Sequence, residues 1–153
     1  MSDEFLKRSP SEKKIRFIDI KLIQIPETGE IFSVEEFRDG TFSKWSNNIG
    51  FINEINYACT LDAFAHWTYY ATNEYLVVSD LQGFRSGNEE YILTDPSISC
   101  VERQFSLTDF GPVGIESYFN KHRCNHICTA LELKQFGEMR EITERMTRVR
   151  VRK

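Results

Sequence analysis

The chain has 153 residues, of which 41% are apolar and 27% charged, with a net charge of -4 and a pI near 5.5. That length suits one domain with room for a real core, and the acidic balance argues against a general nucleic-acid binder. No stretch approaches the roughly 20 apolar residues of a membrane span, and the first ten residues carry no apolar signal-peptide core, so a cytoplasmic protein with reduced thiols is expected, partnered by neither nucleic acid nor membrane.

Residues 1–13 are polar and expected to be disordered. Residues 15–25 are rich in β-branched side chains with partial alternation, which predicts a strand. Pro26-Glu27-Thr28-Gly29 signals a turn, and residues 30–37 return as a second strand, a hairpin that Asp39-Gly40 ends. Residues 44–50 read as a polar loop. Residues 60–72 predict a helix capped by Thr60, with Leu61, Phe64, Ala65 and Thr68 at helical spacing. Tyr75-Leu76-Val77-Val78 is a short buried strand, followed at once by Ser79-Asp80-Leu81-Gln82-Gly83. A loop beginning at Phe84 closes at Thr94-Asp95-Pro96, and residues 114–133 are expected to be mostly helical. Internal repeats are absent. Strands cluster early and helices late, so the class is α+β. The folded part is expected over residues 14–135, followed by a charged tail over 136–153 whose basic end reads as a solvated terminus.

The densest chemistry lies in His122-Arg123-Cys124-Asn125-His126-Ile127-Cys128, with a further imidazole, His66, upstream. The chain has only three histidines and four cysteines, so their concentration here points to a soft-metal site, and thiolates with imidazole suit tetrahedral zinc. In one unbroken helix Cys124 and Cys128 would share a face, while His122 would point away, because two helical steps turn a side chain by roughly 200°. A site using all three therefore needs a helix break near His122. The alternative is a helix with two buried thiols and two surface histidines.

Further motifs then align in order: residues 63–69, Ala-Phe-Ala-His-Trp-Thr-Tyr; residues 76–83, Leu-Val-Val-Ser-Asp-Leu-Gln-Gly; Leu93-Thr94-Asp95-Pro96; and the Cys/His segment. In this order they resemble the catalytic region of the alpha-kinases, atypical protein kinases that include myosin heavy chain kinases, elongation factor 2 kinase and the channel-kinases. Residues 34–40 and 42–48 resemble that family's hinge and the loop after it. The resemblance runs from about Ile15 to about Leu133. It implies a serine/threonine protein kinase of α+β fold using ATP, magnesium and a structural zinc ion, with a protein as substrate. By position it implies that Asp80 is the catalytic aspartate, with Lys44 and Asn48 beside it. Gln82 and Asp95 would hold magnesium, and Glu35 would read the adenine amino group. His66, His122, Cys124 and Cys128 would bind zinc, leaving His126, Cys59 and Cys100 outside the site. Phosphoryl transfer needs positioning and charge neutralisation more than covalent chemistry, and amide and carboxylate oxygens are the hard ligands magnesium prefers. Taken alone, Asp80-Leu81-Gln82-Gly83 is an ordinary strand exit, Thr94-Asp95-Pro96 an ordinary turn and Glu35 an exposed strand residue.

The chain also departs from the family pattern. The N-terminal part that would carry a glycine-rich phosphate loop and its lysine has no counterpart here, so the expected fold is the C-terminal lobe with most of the N-terminal lobe missing. Of the glycine loop that falls on residues 106–114, Gly111 and Gly114 alone match. The loop from Phe84 to Leu93 is longer than the family's, which costs little in closure entropy. Asp109-Phe110-Gly111 also spells a conventional-kinase motif, but no conventional catalytic loop precedes it. Two readings follow: a truncated kinase, whose missing lobe another chain could supply, or a zinc-stabilised pseudokinase remnant acting as a scaffold without catalysis.

Overall fold

In this computed structural model the described residues are 1–136. Helix α1 (Ser2–Arg8) comes first, so the expected disorder of residues 1–13 is corrected. Its acidic first turn and basic last turn suit the helix dipole, yet seven residues are too few to hold a helix alone. The anchor is Phe5, which is 0% exposed and meets Phe64 and Trp67 edge to face at 5.4 and 5.7 Å. Burying such a ring contributes about 1.5–3 kcal/mol. Ser11 then ties this segment to the next helix through a 2.9 Å hydroxyl–hydroxyl bond with Thr60.

The single strand expected over 15–25 is two strands in different sheets. β1 (Lys14–Phe17) lies parallel to β7 (Glu90–Thr94), and β2 (Lys21–Gln24) pairs antiparallel with β3 (Ile31–Val34). The change of partner follows Ile18, whose N–H still donates to the Leu93 carbonyl. The β2–β3 hairpin matches the expected turn at Pro26–Gly29, and every residue in its strands is exposed.

The main sheet runs β1-β7-β6-β4, with β4 (Ser43–Lys44) and β6 (Gln82–Ser86) antiparallel to their neighbours. The loop expected from Phe84 to Thr94 is thus a hairpin. Gly83, at φ 144°, faces Leu93 across it, and a Cβ there would run into the Ile92 carbonyl. β5 (Leu76–Ser79) and β8 (Ser97–Cys100) form a separate pair.

Helix α2 (Cys59–Ala71) is the core element, with Thr60 to Tyr69 all buried. A helix buried all round needs no amphipathic stripe. Thr60 lies inside its first turn and does not cap it; the N-cap is Ala58, with no side-chain bond. Thr68 accepts the Val78 amide hydrogen at 3.0 Å, locking α2 to β5. Helix α3 (Pro112–Lys121) starts with Pro at its first turn behind Gly111 at φ 63°, the arrangement those residues favour. It ends at His122, whose backbone is extended. Helix α4 (His126–Ala130) restarts behind Asn125, whose side chain accepts from Ile127 N and Cys128 N. Residues 114–133 are therefore two helices with a break at His122. Phe136, the first residue of the expected tail, stacks on Phe119 at 4.5 Å and packs against the core while partly buried. The rest of the tail, residues 137–153, lies outside the described residues. Strands come in two blocks of four, β1–β4 and β5–β8, separated by α2 and followed by α3 and α4, so they do not all cluster early as expected, and the class is α+β.

Candidate active site and metal group

Strand register builds the cleft. Gln82 opens β6 opposite Thr94, which closes β7, and Lys44 of β4 pairs with Gln82 from the other side. Asp80 and Asp95 each follow a strand end and both have positive φ, 56° and 45°. Asp tolerates that region better than most residues, and such conformations gather at functional sites. Lys44 Nζ lies 2.7 Å from Asp80 Oδ1 and donates to Gln82 Oε1 at 3.2 Å. Gln82 Nε2 donates to Asp80 Oδ2 at 3.4 Å and to the Asp95 backbone carbonyl at 3.3 Å. Asp80 is half-buried and Asp95 exposed. The Ser46 hydroxyl accepts the Leu81 amide hydrogen at 3.1 Å and fixes the backbone beside Asp80.

Gln82, Thr94 and Asp95 form one end of a cleft of about 490 Å³. Its other wall carries Ser33, Val34 and Glu35, with Ile20 and Phe42 supplying apolar surface. Glu35 accepts a hydrogen bond from the Thr94 hydroxyl, so the two lining residues are in direct contact. The structure thus brings Lys44, Asp80, Gln82 and Asp95 together, with Glu35 on the same cleft. Asn48 bonds elsewhere, donating to the Thr108 carbonyl at 3.5 Å.

His66, His122, Cys124 and Cys128 also converge, each offering a ligand atom within 4.8 Å of the others. α2 carries His66, the end of α3 positions His122, and the Asn125 cap sets Cys128. Cys124 Sγ is 3.8 Å from His66 Nδ1, and Cys128 Sγ is 3.7 Å from His122 Nε2. Around tetrahedral zinc, bonds near 2.3 Å to sulfur and 2.0–2.1 Å to nitrogen require an S···N edge of about 3.6 Å. The donor set fits that ion in type and number, and these two edges fit it in spacing. Burial, with His122 adding, pushes His66 down to about 4, so at neutral pH its ring is uncharged and keeps a lone pair. Burial pushes the Cys128 thiol up to about 12, and a bound cation would take that proton's place. The outward nitrogens are held as well: His66 Nε2 by the Lys134 carbonyl at 3.0 Å and His122 Nδ1 by Asp62 at 2.9 Å. Among the described residues, Cys59, Cys100 and His126 are outside this group.

Several of these partners escape sequence reasoning. Asp62 reads as an ordinary first-turn acid, although its place one helical turn before His66 was a usable signal. Asp109, of the conventional-kinase tripeptide, is a buried brace that accepts hydrogen bonds from Cys100 N, Gly111 N and Phe105 N. Burial works against its charge, but these bonds and the Cys100 thiol hold its carboxyl below the usual range.

A profile of the alpha-kinase family matches residues 1–128, which includes α1. The alpha-protein kinase vwkA of Dictyostelium discoideum is 31% identical over 131 residues, covering 84% of this chain and 21% of that protein. Human transient receptor potential cation channel subfamily M member 7 is 37% identical over 128 residues, covering 77% of this chain and 6% of that protein. Among solved structures, an alpha kinase from Entamoeba histolytica superposes with a TM-score of 0.78 at 32% identity, covering 88% of this chain and 59% of that one. The alpha-kinase domain of myosin heavy chain kinase A in complex with ADP gives 0.75 at 26% identity, covering 88% of this chain and 54% of that one. The chain thus spans little more than half of those solved domains and about a fifth or less of these curated relatives. Since the family match runs through the cleft and through all four metal-group residues, the chain belongs to the alpha-kinase family.

Proposed function

We propose that this chain forms the catalytic part of an ATP-dependent serine/threonine protein kinase, with Asp80 orienting the acceptor hydroxyl. The observation that carries this reading is the junction of Lys44 and Asp80 with Gln82 and Asp95, the last two lining a cleft that Glu35 also lines. A carboxylate beside the acceptor can take its proton as the bond to phosphorus forms. Lys44 holds that carboxylate in place from one side and Gln82 from the other. The Gln82 amide oxygen and the Asp95 carboxylate are hard donors suited to magnesium, which supplies charge neutralisation for the phosphates when bound. Glu35 would accept from the adenine amino group, with the Thr94 hydroxyl bonded to its carboxylate. A related domain, that of myosin heavy chain kinase A, has been solved in an inactive form in complex with ATP, which supports a nucleotide in this cleft. We assign zinc to the His/Cys group and a structural role to that ion, joining α2 to the α3–α4 segment.

A second reading has its own support. Among the described residues no lysine or arginine lines the cleft, Lys44 standing beside it on Asp80 and Gln82, and residues 106–110 lack the family's glycines, so phosphates would be weakly held and the chain would act as a zinc-stabilised scaffold. Phosphotransfer to a basic test protein at high Mg-ATP separates the two. The kinase reading expects slow transfer that Asp80→Ala abolishes. Transfer no greater than that variant's background would leave the scaffold.

A further inference from the structure

We infer that Asp62 is the positioning carboxylate of the metal group, setting the proton and orientation of His122; this rests on the zinc reading above. Asp62 stands one helical turn before His66 on α2, on the same face. Its side chain is 7% exposed. Both carboxylate oxygens are engaged, and by separate segments. Oδ1 lies 2.9 Å from His122 Nδ1 and accepts from the Tyr118 hydroxyl at 3.1 Å, while Oδ2 accepts from the Tyr57 hydroxyl at 2.7 Å. Tyr118 also donates to the Asp62 backbone carbonyl at 2.7 Å, so α2 and α3 meet at this residue.

The charge needs a reason. A buried carboxylate is costly unless a cation or strong donors balance it. Among the described residues its one ion-pair partner is the His122 imidazole, with no lysine or arginine at hand. A divalent ion on His122 Nε2 would draw electron density through the ring and make Nδ1–H a stronger donor to Asp62. In return the carboxylate raises the basicity of Nε2. The carboxylate favours one tautomer, with the proton on Nδ1, although the Tyr118 hydroxyl also lies 2.9 Å from that nitrogen. With the proton on Nε2, a bare Nδ1 lone pair would face the carboxylate oxygen at 2.9 Å, and Nε2–H would point at Cys128 Sγ. His66 is arranged the other way, with Nδ1 toward Cys124 and Nε2 toward the Lys134 carbonyl.

The test measures zinc affinity of the full chain by competition with a chromophoric chelator, for wild type, Asp62→Asn and Tyr57→Phe. Asp62→Asn keeps the shape but removes the charge and should bind zinc about 10–100-fold more weakly. Tyr57→Phe removes one donor to Oδ2, leaves the His122 bond intact and should lose far less. Long-range proton–nitrogen spectra of zinc-loaded wild type give a second readout that needs no variant to fold: His122 should carry its proton on Nδ1 and His66 on Nε2. A His122 proton on Nε2, or a folded Asp62→Asn chain that binds zinc as tightly as wild type, overturns the role of Asp62 alone. Wild-type protein that takes up no zinc overturns the metal reading and this inference together.

Discussion

On the zinc assignment proposed above, removing the metal should cost a large share of the stability of the domain. His66 and Cys128 are 0% exposed and His122 is 6% exposed. Without an ion, the inward nitrogens of the two imidazoles face sulfur, His66 Nδ1 with Cys124 at 3.8 Å and His122 Nε2 with Cys128 at 3.7 Å, weak partners for buried groups because sulfur is a poor donor and acceptor. A buried polar group left without a good partner costs about 1–3 kcal/mol, so the two imidazoles and the Cys128 thiol together cost up to about 3–9 kcal/mol. A domain has about 5–15 kcal/mol in total. At about 2–4 °C per kcal/mol for a chain of this size, the melting temperature should fall by on the order of 10 °C or more. Calorimetric melts before and after chelation, with zinc added back, read this directly, and Cys128→Ser should match the chelated protein. A melt that chelation leaves unchanged, in protein shown by elemental analysis to have lost its metal, would refute the reasoning.

Other perturbations follow from the same packing. Phe5→Ala should destabilise the domain by about 3–5 kcal/mol, read by chemical denaturation; a change under about 0.5 kcal/mol, the size of an ordinary surface substitution, would mean that α1 is not part of the core. Asp109 has a lowered carboxyl pKa in the folded state, so its contribution is present above the unfolded value and is lost as pH falls through the folded one. Asp109→Asn should therefore flatten the loss of stability below about pH 4 relative to wild type, and an identical acid profile would argue against the brace. Glu35→Ala removes the carboxylate proposed to accept from the adenine amino group. The loss of a charged hydrogen bond, about 1.5 kcal/mol, should weaken Mg-ATP binding roughly tenfold in a direct titration; unchanged affinity would remove Glu35 from the nucleotide site.

Much of the metal group could be read from residues 122–128, because soft donors at that density have few other uses and helix geometry demanded the break found at His122. His66 was different: nothing in its spacing linked it to that segment, and the family resemblance alone supplied it. The β2–β3 hairpin followed from the turn at Pro26–Gly29. The β6–β7 hairpin was missed because Ser86-Gly87-Asn88-Glu89, itself a turn signal, sits in a polar stretch that reads as loop. β8, four residues with two buried serines, offers no apolar alternation. The N-terminal helix was invisible for a physical reason: its composition is polar, and one buried ring, Phe5, decides its fate through tertiary contact. Asp62 shows the same limit, since sequence cannot distinguish a first-turn acid in water from one buried beneath two tyrosines and a histidine.

The central claim is that the Gln82–Asp95 end of the cleft and Glu35 hold one magnesium nucleotide. Calorimetric titration of the zinc-loaded chain with ATP, with and without magnesium, tests it most directly, with Gln82→Ala beside wild type. With no lysine or arginine among the described residues that line the cleft, the account predicts saturable binding weaker than micromolar that requires magnesium and is lost in Gln82→Ala. Binding that is indifferent to magnesium and to Gln82, or no binding of ATP at all, would contradict it.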